Sequence, residues 1–355
     1  MAITVREATS GDRVAIERLR YEVYVAEKGL FGDRADHDAR QLPDPDDAIA
    51  HIWVAEADGE VVGTHRLLWG AEADLEAWED NFGTRAFLEL VGPERLCVFG
   101  RFVIRADHRG GEVSLRLLHD LAAWALDHDI DVGFCDCEPH LVAFYEAMGF
   151  RPYRSVYNDP VFGVKVPLVI VASDRTHLSS IGSFVVDMLP SSFSRTPHPA
   201  VLDLVTGGAD HRSTAFAAWE LAQEAPTHLF TGLDLPAVEA VTAKATRIDF
   251  SPGDVLIRAG HGSRTCWVIE SGTVEIREGD RPVAFRSAPS IVGELSMLLD
   301  RTRSADVVAA TSGTALVLSD RSIERLTDED PRAAAQLFRN LAAWIGQKLL
   351  DGGGR

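Results

Sequence analysis

Residues 292–311, VGELSMLLDRTRSADVVAAT, decide the fold of the C-terminal half of this chain. Gly293 and Glu294 precede a short apolar helical turn, and Arg303 then opens a β-rich run. The carboxylate of Glu294 can accept hydrogen bonds from a hydroxyl, and the guanidinium of Arg303 offers a planar fork of donors to an anion. The stretch therefore predicts a short helical turn followed by a strand, with a carboxylate and a guanidinium held close together in the sequence.

The residues around this stretch predict a small β-barrel or jelly roll. Short apolar strands are separated by regularly spaced turn signals. Residues 227–245 and 321–350 carry apolar residues at helical spacing, so a helix is expected on each side of the barrel. The turn signals are Ser251-Pro252-Gly253, Ala259-Gly260, Ser271-Gly272 and Gly279-Asp280.

The N-terminal half alternates strand-like and helical patterns, which predicts an α/β domain with a mixed sheet. A hairpin is expected within residues 50–69, turning at Asp58-Gly59. Further strands are predicted at 3–8, 97–105 and 131–137, and helices at 12–29, 112–129 and 140–150. We thus expect a two-domain α+β chain, with a mixed α/β domain at 1–165, a helical and loop connector at 166–225, and a β-barrel (jelly roll) with flanking helices at 226–355.

Composition limits the function classes. A chain of 355 residues is too long for one ordinary core, and its net charge of −19 argues against a nucleic-acid partner, because phosphates would be repelled. The sequence has no apolar run of membrane-spanning length and no N-terminal signal pattern, which predicts a cytoplasmic protein without a membrane span. The four cysteines lack zinc-site spacing, so buried free thiols and no metal are expected.

The segment that includes the opening stretch resembles cyclic nucleotide-binding domains. In that family a phosphate-binding cassette lies between two barrel strands, and it corresponds here to Gly293–Ala305. The resemblance implies that Glu294 binds the ribose 2′-hydroxyl and that Arg303 binds the cyclic phosphate. Ser304 in place of threonine favours cAMP over cGMP, while Asp306 either faces the base or points outward. The implied nucleotide-binding residues are Gly293, Glu294, Leu295, Ser296, Arg303, Ser304 and Ala305.

Residues 97–153 resemble the GNAT superfamily of acyltransferases. A turn entering a helix leaves backbone N–H groups free for the phosphate-bearing arm of the acyl donor, and a splay between two parallel strands admits its thioester. The family favours small residues where Glu112 and Ser114 stand, so either the turn shifts register or the donor is acyl carrier protein rather than acyl-CoA. The implied donor-binding residues are Phe102, Val103, Ile104, Arg109, Gly110, Gly111, Glu112, Val113 and Ser114.

The layout of the N-terminal half is also similar to one GNAT branch, the acyl-homoserine-lactone synthases and N-acyl amino acid synthases, which use acyl carrier protein. The matching positions are Arg20, Asp36 or Asp38, Arg66 and Arg101. This implies that the arginines lie at the acceptor or acyl site, with a structural ion pair as the alternative for each. Phe99 stands where lactone synthases carry a glutamate, which argues against lactone synthesis itself.

Tyr145 and Glu138 are the catalytic candidates. Tyr145 lies where many GNAT enzymes place a tyrosine that assists the departing thiolate, and a packed aromatic is its structural alternative. For the general base that accepts the amine proton, His65, Glu138 and His140 remain open, and Glu138 is favoured because it follows a strand that would line the cleft.

Together these patterns predict an N-acyltransferase that moves an acyl group from acyl-CoA or acyl carrier protein to a small-molecule amine or a protein lysine. Cyclic nucleotide, cAMP or cGMP, would regulate it. The alternative is a non-catalytic nucleotide-binding sensor or scaffold with a degenerate GNAT-like domain. The connector at 166–225 and the final helix are the elements expected to move when the nucleotide binds.

Overall fold

The structure is a computed structural model that describes residues 3–189, 195–206, 229–242, 245–299 and 301–352. In the N-terminal half the strands are β1 (Ile3–Glu7), β2 (His51–Ala57), β3 (Glu60–Trp69), β4 (Leu96–Ile104), β5 (Val132–Cys137), β6 (Arg151–Pro152), β7 (Tyr157–Asp159) and β8 (Gly163–Val171). The helices are α1 (Arg13–Arg20), α2 (Glu79–Phe82), α3 (Thr84–Val91), α4 (Glu112–Asp127), α5 (Val142–Glu146), α6 (Arg175–Ser180), α7 (Val185–Met188) and α8 (Pro199–Thr206).

These strands form one mixed sheet in the order β1-β2-β3-β4-β5-β8-β6, with β7 paired to β8. The β2–β3 hairpin turns at Asp58-Gly59, where both residues have positive φ, as the sequence predicts. Strands β4 and β5 run parallel but pair only from Leu96↔Val132 to Val98↔Phe134. Both strands continue beyond that point without pairing with each other, so they splay apart. A splay at this position is what the GNAT resemblance implies.

Helix α4 packs against β1, β2 and β3. It buries one stripe, which includes Val113, Leu117 and Leu121, at the four-residue spacing of a helix face. That stripe meets Trp53 and Leu67 of the sheet in one apolar cluster. This packing therefore fixes the position of the first turn of α4 relative to the splayed strands β4 and β5.

The C-terminal half is a jelly roll of two antiparallel four-stranded sheets. Its helices are α9 (Leu235–Thr242), α10 (Glu294–Leu299), α11 (Asp320–Glu329) and α12 (Pro331–Gly352). The strands are β9 (Thr246–Phe250), β10 (Val255–Ile257), β11 (Thr265–Ser271), β12 (Thr273–Glu278), β13 (Arg281–Ser287), β14 (Ser290–Val292), β15 (Asp306–Ala309) and β16 (Gly313–Ser319). One sheet has the order β10-β15-β12-β13 and the other the order β14-β11-β16-β9.

Helix α10 lies between β14 and β15, where the opening stretch predicts it. Helix α12 begins with Pro331 at its first position, and the Asp330 side chain accepts hydrogen bonds from the N–H groups of Arg332 and Ala333. The predicted fold class, a mixed α/β sheet followed by a jelly roll with helices, is confirmed.

Several predicted helices differ from the observed ones. The helix expected at 140–150 is limited to α5, after a 3₁₀ turn at Pro139–Leu141, and the helical run expected at 321–350 is divided into α11 and α12. The helix expected at 12–29 consists of α1 followed by a π-helix, Tyr21–Glu27. The helix expected at 227–245 is α9, which is shorter, because a turn that includes Gly232, at positive φ, precedes it. Residues 227–228 and 243–244 of that prediction lie outside the described residues.

The chain divides into two compact units. The first comprises Met1–Cys137, Phe144–Ser155 and Pro167–Ala209, and the second comprises Glu138–Ala143, Val156–Val166 and Asp210–Arg355. The predicted boundary at residue 165 falls within β8, so the division into 1–165, 166–225 and 226–355 stays a prediction. The second unit thus contains two short segments from the N-terminal half in addition to the jelly roll.

Candidate functional site

The splayed part of β4 carries a β-bulge. Arg66 of β3 pairs with Gly100, and Thr64 pairs with Val103, so His65 alone lies opposite Arg101 and Phe102. Arg101 has a φ of 51°, in the left-handed region that non-glycine residues seldom adopt. The bulge interrupts the regular alternation of side chains along β4 at this edge of the opening.

Phe102, Val103 and Ile104 follow the bulge toward the end of β4. Val103 and Ile104 are buried, and Phe102 is half-buried. The ring of Phe102 stacks on Phe144 at 6.3 Å and lies 4.9 Å from the imidazole of His65. These three residues line the end of β4 as the sequence predicts, and their contact with a donor stays a prediction.

The predicted donor turn leads into α4. Gly110 has a φ of 72°, and Gly111, at the N-cap of α4, makes no side-chain cap. A Cβ on Gly110 would have no heavy atom within 4 Å, so this turn is open. Glu112, which stands where the GNAT family favours a small residue, pairs with Arg116 one turn further along the helix, at 2.5 Å. This ion pair partly neutralises the Glu112 carboxylate.

Arg109 does not point freely from this turn. Its Nη1 and Nη2 atoms donate to the two carboxylate oxygens of Glu27 at 2.5 and 2.6 Å, and its Nε donates to the carbonyl of Ile104 at 2.9 Å. The bidentate ion pair fastens the turn to the π-helix. Val113, next along α4, is buried, and Ser114 is half-buried. Of this set, the open glycines are therefore the better candidates for donor contact.

Tyr145 lies in α5 between two aromatic rings. It makes edge-to-face contacts with Phe144 at 5.4 Å and with Phe150 at 5.7 Å. Burial raises the pKa of Tyr145 well above its ordinary value, and the nearby thiols Cys135 and Cys137 contribute to the same shift. The phenol therefore stays protonated at neutral pH and remains a hydrogen-bond donor.

Three arginines predicted near the acceptor site lie in one ion-pair cluster. Arg20 is fully buried and bidentate to Asp47, with N–O distances of 2.5 and 3.0 Å. Arg66, also buried, contacts Asp44 at 2.9 Å, Asp46 at 3.1 Å and Asp47 at 3.5 Å. Burial alone would raise the pKa of Asp44, but Arg101 and Arg66 outweigh it and lower that pKa to about 2.

Arg101 is the open member of this arginine cluster. Its Nε donates to Asp44 at 2.6 Å, and its guanidinium lies over the rings of Phe31 and Tyr24 at 5.3 and 5.9 Å. About a quarter of its side chain is exposed, against 4% for Arg66. Within the described residues, the Nη atoms of Arg101 have no protein acceptor, so they can receive an anion.

The aspartates of the cluster were missed by the sequence reasoning, which matched Asp36 or Asp38 instead. Asp36 is exposed and accepts a hydrogen bond from the N–H of Ala39. The aspartates that pair with the arginines come from the 3₁₀ turn Pro45–Ile49 and the residue before it, and a role for Asp36 or Asp38 stays a prediction. The sequence PDPDD at 43–47 was their only signal, and a proline-rich acidic stretch has no periodicity to interpret.

The candidate bases fall in different places. His65 is buried, its Nδ1 has no hydrogen-bond partner in the part of the chain that the structure describes, and burial lowers its pKa to about 3. Such an imidazole is neutral at physiological pH and is a weak base. Glu138 and His140 belong to the second unit, where they line a cavity with His261, Ser263 and other jelly-roll residues. Glu138 directly follows Cys137, the last residue of β5.

Within the predicted nucleotide cassette, Arg303 makes hydrogen bonds to Gly293 and to several neighbouring residues. Arg303 is 4% exposed, and its Nη groups donate to the Gly293 carbonyl at 2.6 Å, to the Thr265 carbonyl and Oγ1 at 2.6 Å each, and to the Ser296 hydroxyl. Its Nε and Nη2 also contact the Ser263 hydroxyl at 3.2 and 3.1 Å. Every one of these acceptors is neutral.

Arg303 has no ion-pair partner among the described residues. Burial lowers the pKa of Arg303 to about 10, although Cys266, Glu138 and Glu294 act in the opposite direction. The guanidinium is still charged at pH 7, so the fold holds a buried cation that lacks a contacting carboxylate. An anion bound here would supply the missing charge.

Gly293 is required by this arrangement. Its φ is 79°, and a Cβ would lie 2.6 Å from Nη1 of Arg303 and 2.7 Å from Cδ1 of Ile257. The sequence reasoning assigned Gly293 to a close approach, and the atom that approaches is a guanidinium nitrogen of the protein itself. The backbone of Arg303 is also fixed, because its N–H donates to the carbonyl of His261 at 2.9 Å and its own carbonyl accepts from the N–H of Gly260 at 2.8 Å.

The other predicted cassette residues take several environments. Glu294 and Ser296 are buried, Leu295 and Ser304 are exposed, and Ala305 is half-buried. The carboxylate of Asp306 accepts a hydrogen bond from the N–H of Ala259 at 2.7 Å, so it stabilises a turn of the jelly roll. Contact between any of these residues and a nucleotide stays a prediction. Within the described residues, no group of three or more His, Cys, Asp or Glu side chains is placed to bind a metal.

Residues 15–174 match the family model described as N-acyl amino acid synthase FeeM, and residues 247–330 match that of the cyclic nucleotide-binding domain. The chain joins an N-acyl amino acid synthase domain to a cyclic nucleotide-binding domain. Both resemblances drawn from the sequence are confirmed. No helix in the described ranges is long and apolar enough to cross a membrane.

The chain is also similar to individual proteins of both classes. It is 34% identical over 131 residues to an L-ornithine N(alpha)-acyltransferase of Rhodobacter capsulatus, a match that covers 34% of this chain and 49% of the relative. It is 31% identical over 133 residues to a cAMP-dependent protein kinase regulatory subunit of Candida albicans, covering 35% and 29%. The crystal structure of the AHL synthase LasI aligns with a TM-score of 0.40 at 18% identity, covering 51% and 96%. The chain spans half or less of the length of the curated relatives it matches.

Proposed function

We propose that this protein is an N-acyltransferase that moves an acyl group from a thioester to the amino group of an amino acid, under the control of a cyclic nucleotide. The observation that carries the proposal is the loss of pairing between β4 and β5 after Val98 and Phe134. It leaves an opening beside Tyr145 and the uncapped start of α4. The domain match to N-acyl amino acid synthases supports the choice of acceptor.

The acyl donor binds at the turn before α4. The unpaired N–H groups of a helix start favour an anion, and Gly110 and Gly111 leave the approach open. Both acyl-CoA and acyl carrier protein present a thioester on a phosphopantetheine arm. The ion pair between Glu112 and Arg116 removes the objection that a carboxylate beside the turn would repel either donor.

The acceptor binds at the open side of the arginine cluster. The Nη atoms of Arg101 are placed to receive the carboxylate of an amino acid, and a guanidinium binds carboxylates with matched geometry. Asp46, 40% exposed, supplies negative charge for the ammonium group before it loses its proton. A zwitterion therefore fits this cluster better than a simple amine or a protein lysine would.

In the reaction, the deprotonated amine nitrogen attacks the thioester carbonyl, the new C–N bond forms, and the C–S bond breaks. The amine proton passes to a base, for which Glu138 remains our candidate. The departing thiolate receives a hydrogen bond from Tyr145. Because the pKa of Tyr145 lies above that of a thiol, near 8.5, the phenol stabilises the thiolate without giving up its proton completely.

The nucleotide binds at the cassette through Arg303. A buried guanidinium with only neutral acceptors is stabilised by the cyclic phosphate, and Ser304 favours cAMP over cGMP. Glu138–Ala143 belongs to the same compact unit as the cassette, so nucleotide binding has a direct route to the candidate base. We place the protein in the cytoplasm, where both ligands are made.

The test is thiol release from acyl-CoA and from acyl carrier protein, with free amino acids or a lysine peptide as acceptors, with and without cAMP. We expect turnover with amino acids, a changed rate with cAMP, and a kcat lower by about tenfold to a hundredfold in Tyr145→Phe with unchanged donor affinity, the range of one hydrogen bond to a charged group. Binding of donor and cAMP without turnover for any acceptor would favour the alternative, a non-catalytic sensor. The ion pair that fastens Arg109 to Glu27 is the observation that keeps this alternative in view.

A further inference from the structure

The last turns of α12 contact the cassette at the residue proposed to bind the ribose. Lys348 Nζ donates to Glu294 Oε1 at 2.8 Å and to the Ile291 carbonyl at 3.2 Å. The same ammonium lies 5.8 Å from the centre of the Trp344 ring, and the Trp344 indole also donates to the Ile291 carbonyl, at 3.2 Å. Lys348 is thus held from three sides.

The Glu294 side chain is 3% exposed, and Lys348 is its ion-pair partner. A buried carboxylate is stabilised by a cation in direct contact with it. A carboxylate also has about four lone-pair sites on its two oxygens, so one ammonium does not exhaust it. The second oxygen of Glu294 remains available to accept a hydrogen bond from a hydroxyl while Lys348 stays in place.

We propose that Lys348 is a positioning residue of the nucleotide site, which holds the Glu294 carboxylate in the orientation that accepts the ribose 2′-hydroxyl. This inference rests on the proposed binding of a cyclic nucleotide at the cassette. It adds the final helix to that site, through a residue that lies 54 positions from its partner in the chain. The ribose contact then depends on the position of the last turns of α12, which carry Lys348.

The test compares affinities for cAMP and for 2′-deoxy-cAMP, which lacks the hydroxyl in question. In the wild type we expect cAMP to bind at least about tenfold more tightly than 2′-deoxy-cAMP, which is the contribution of a hydrogen bond to a charged group. In Lys348→Met, affinity for cAMP falls to within about twofold of the affinity for 2′-deoxy-cAMP, because Glu294 is no longer a good acceptor. Lys348→Arg restores the preference, since the guanidinium supplies the same charge.

Arg339→Met is the matched control. Arg339 is exposed on the same helix, so this variant removes one positive charge from α12 without touching Glu294. It should keep the wild-type preference for the 2′-hydroxyl.

Three other outcomes would overturn the inference, each in a different way. Equal weakening of both nucleotides in Lys348→Met would assign Lys348 a structural role alone. Tighter binding of cAMP in that variant would show that Lys348 competes with the ribose for Glu294. If neither nucleotide binds the wild type, the proposed nucleotide site itself fails, and the result is distinct from the other two because no variant is needed to see it.

Discussion

Two regions of this protein bury arginine, and they do so in opposite ways. Arg20 and Arg66 lie among three aspartates that balance their charge. Arg303 is equally buried, but its acceptors are hydroxyl and carbonyl oxygens. In a balanced cluster each charge already has its partner, whereas a buried cation that no carboxylate among the described residues contacts is suited to bind an anion. The two regions are therefore expected to respond differently to the same substitution.

The largest effect is expected on stability. Arg66→Met leaves Asp44 buried beside a single arginine, and we expect it to lower the free energy of unfolding by about 3 to 5 kcal/mol, the usual result of removing one partner from a buried ion pair. Arg303→Met removes a cation that no carboxylate among the described residues contacts and leaves only neutral acceptors unpaired, so its loss should be smaller, about 1 to 3 kcal/mol. Urea unfolding of both variants measures the difference. Equal losses would remove the distinction between the two regions.

The second effect is on nucleotide affinity. Arg303→Met is expected to weaken cAMP binding by about 2 to 5 kcal/mol, the range for truncation of one partner of a buried charged contact. Arg66→Met should leave that affinity unchanged in protein that remains folded, because it belongs to the other compact unit. Calorimetric titration distinguishes them. Unchanged cAMP affinity in Arg303→Met would mean that the buried cation serves the fold only.

His65 shows a third way to bury a basic group, which is to keep it neutral. Its pKa is about 3 in the fold and about 6.5 unfolded, so the unfolded chain binds one more proton between these values. The stability that follows is present above pH 6.5 and is lost as pH falls toward 3, by about 1.4 kcal/mol per pH unit. His65→Phe, with Phe99 and Phe102 as neighbours, should unfold less readily than the wild type as pH is lowered from 6.5 to 4.5. Parallel curves for the two proteins would mean that His65 is protonated in the fold.

Arg101 is expected to give a smaller change, confined to the acceptor. Arg101→Met should raise KM for amino acids about tenfold, the value of one charge-assisted hydrogen bond, and leave KM for the matching amino acid amides unchanged. Arg105→Met is the control, because Arg105 lies one residue beyond β4 and pairs with Glu60 and Asp107. If both variants raise both constants alike, the carboxylate of the acceptor is not bound by Arg101.

The sequence was sufficient where a signal is local. The Asp58-Gly59 hairpin, the stripe on α4 and the cassette helix each depend on residues within about two turns of one another, so periodicity and turn residues indicate them. Contacts made by sheet pairing were not visible. Arg66 and Arg101 meet Asp44 only because β3 and β4 are neighbours in the sheet. The pairing of Lys348 with Glu294 likewise depends on the path of a whole helix.

The smallest effect tests how the candidate base senses the nucleotide. Glu138 lines a cavity in the second unit together with Ser263 and Thr265, and both of these accept hydrogen bonds from Arg303. His261 and Arg258 line the same cavity. The Nε of Arg258 is buried and has no hydrogen-bond partner among the described residues. A cyclic phosphate at Arg303 would therefore add negative charge near the Glu138 carboxylate.

Glu138→Gln removes the repulsion between that carboxylate and the phosphate, and we expect it to raise cAMP affinity about fourfold, as two unit charges about 10 Å apart would give at an effective dielectric constant near 40. Asp249→Asn is the control, because Asp249 is exposed on β9 of the same unit and the substitution changes the net charge equally. The effect should also shrink in high salt less than that of an exposed charge, since the cavity is partly shielded from ions. If Glu138→Gln and Asp249→Asn change cAMP affinity alike, the carboxylate does not sense the bound phosphate, and nucleotide control must reach the acyl-transfer site by another route.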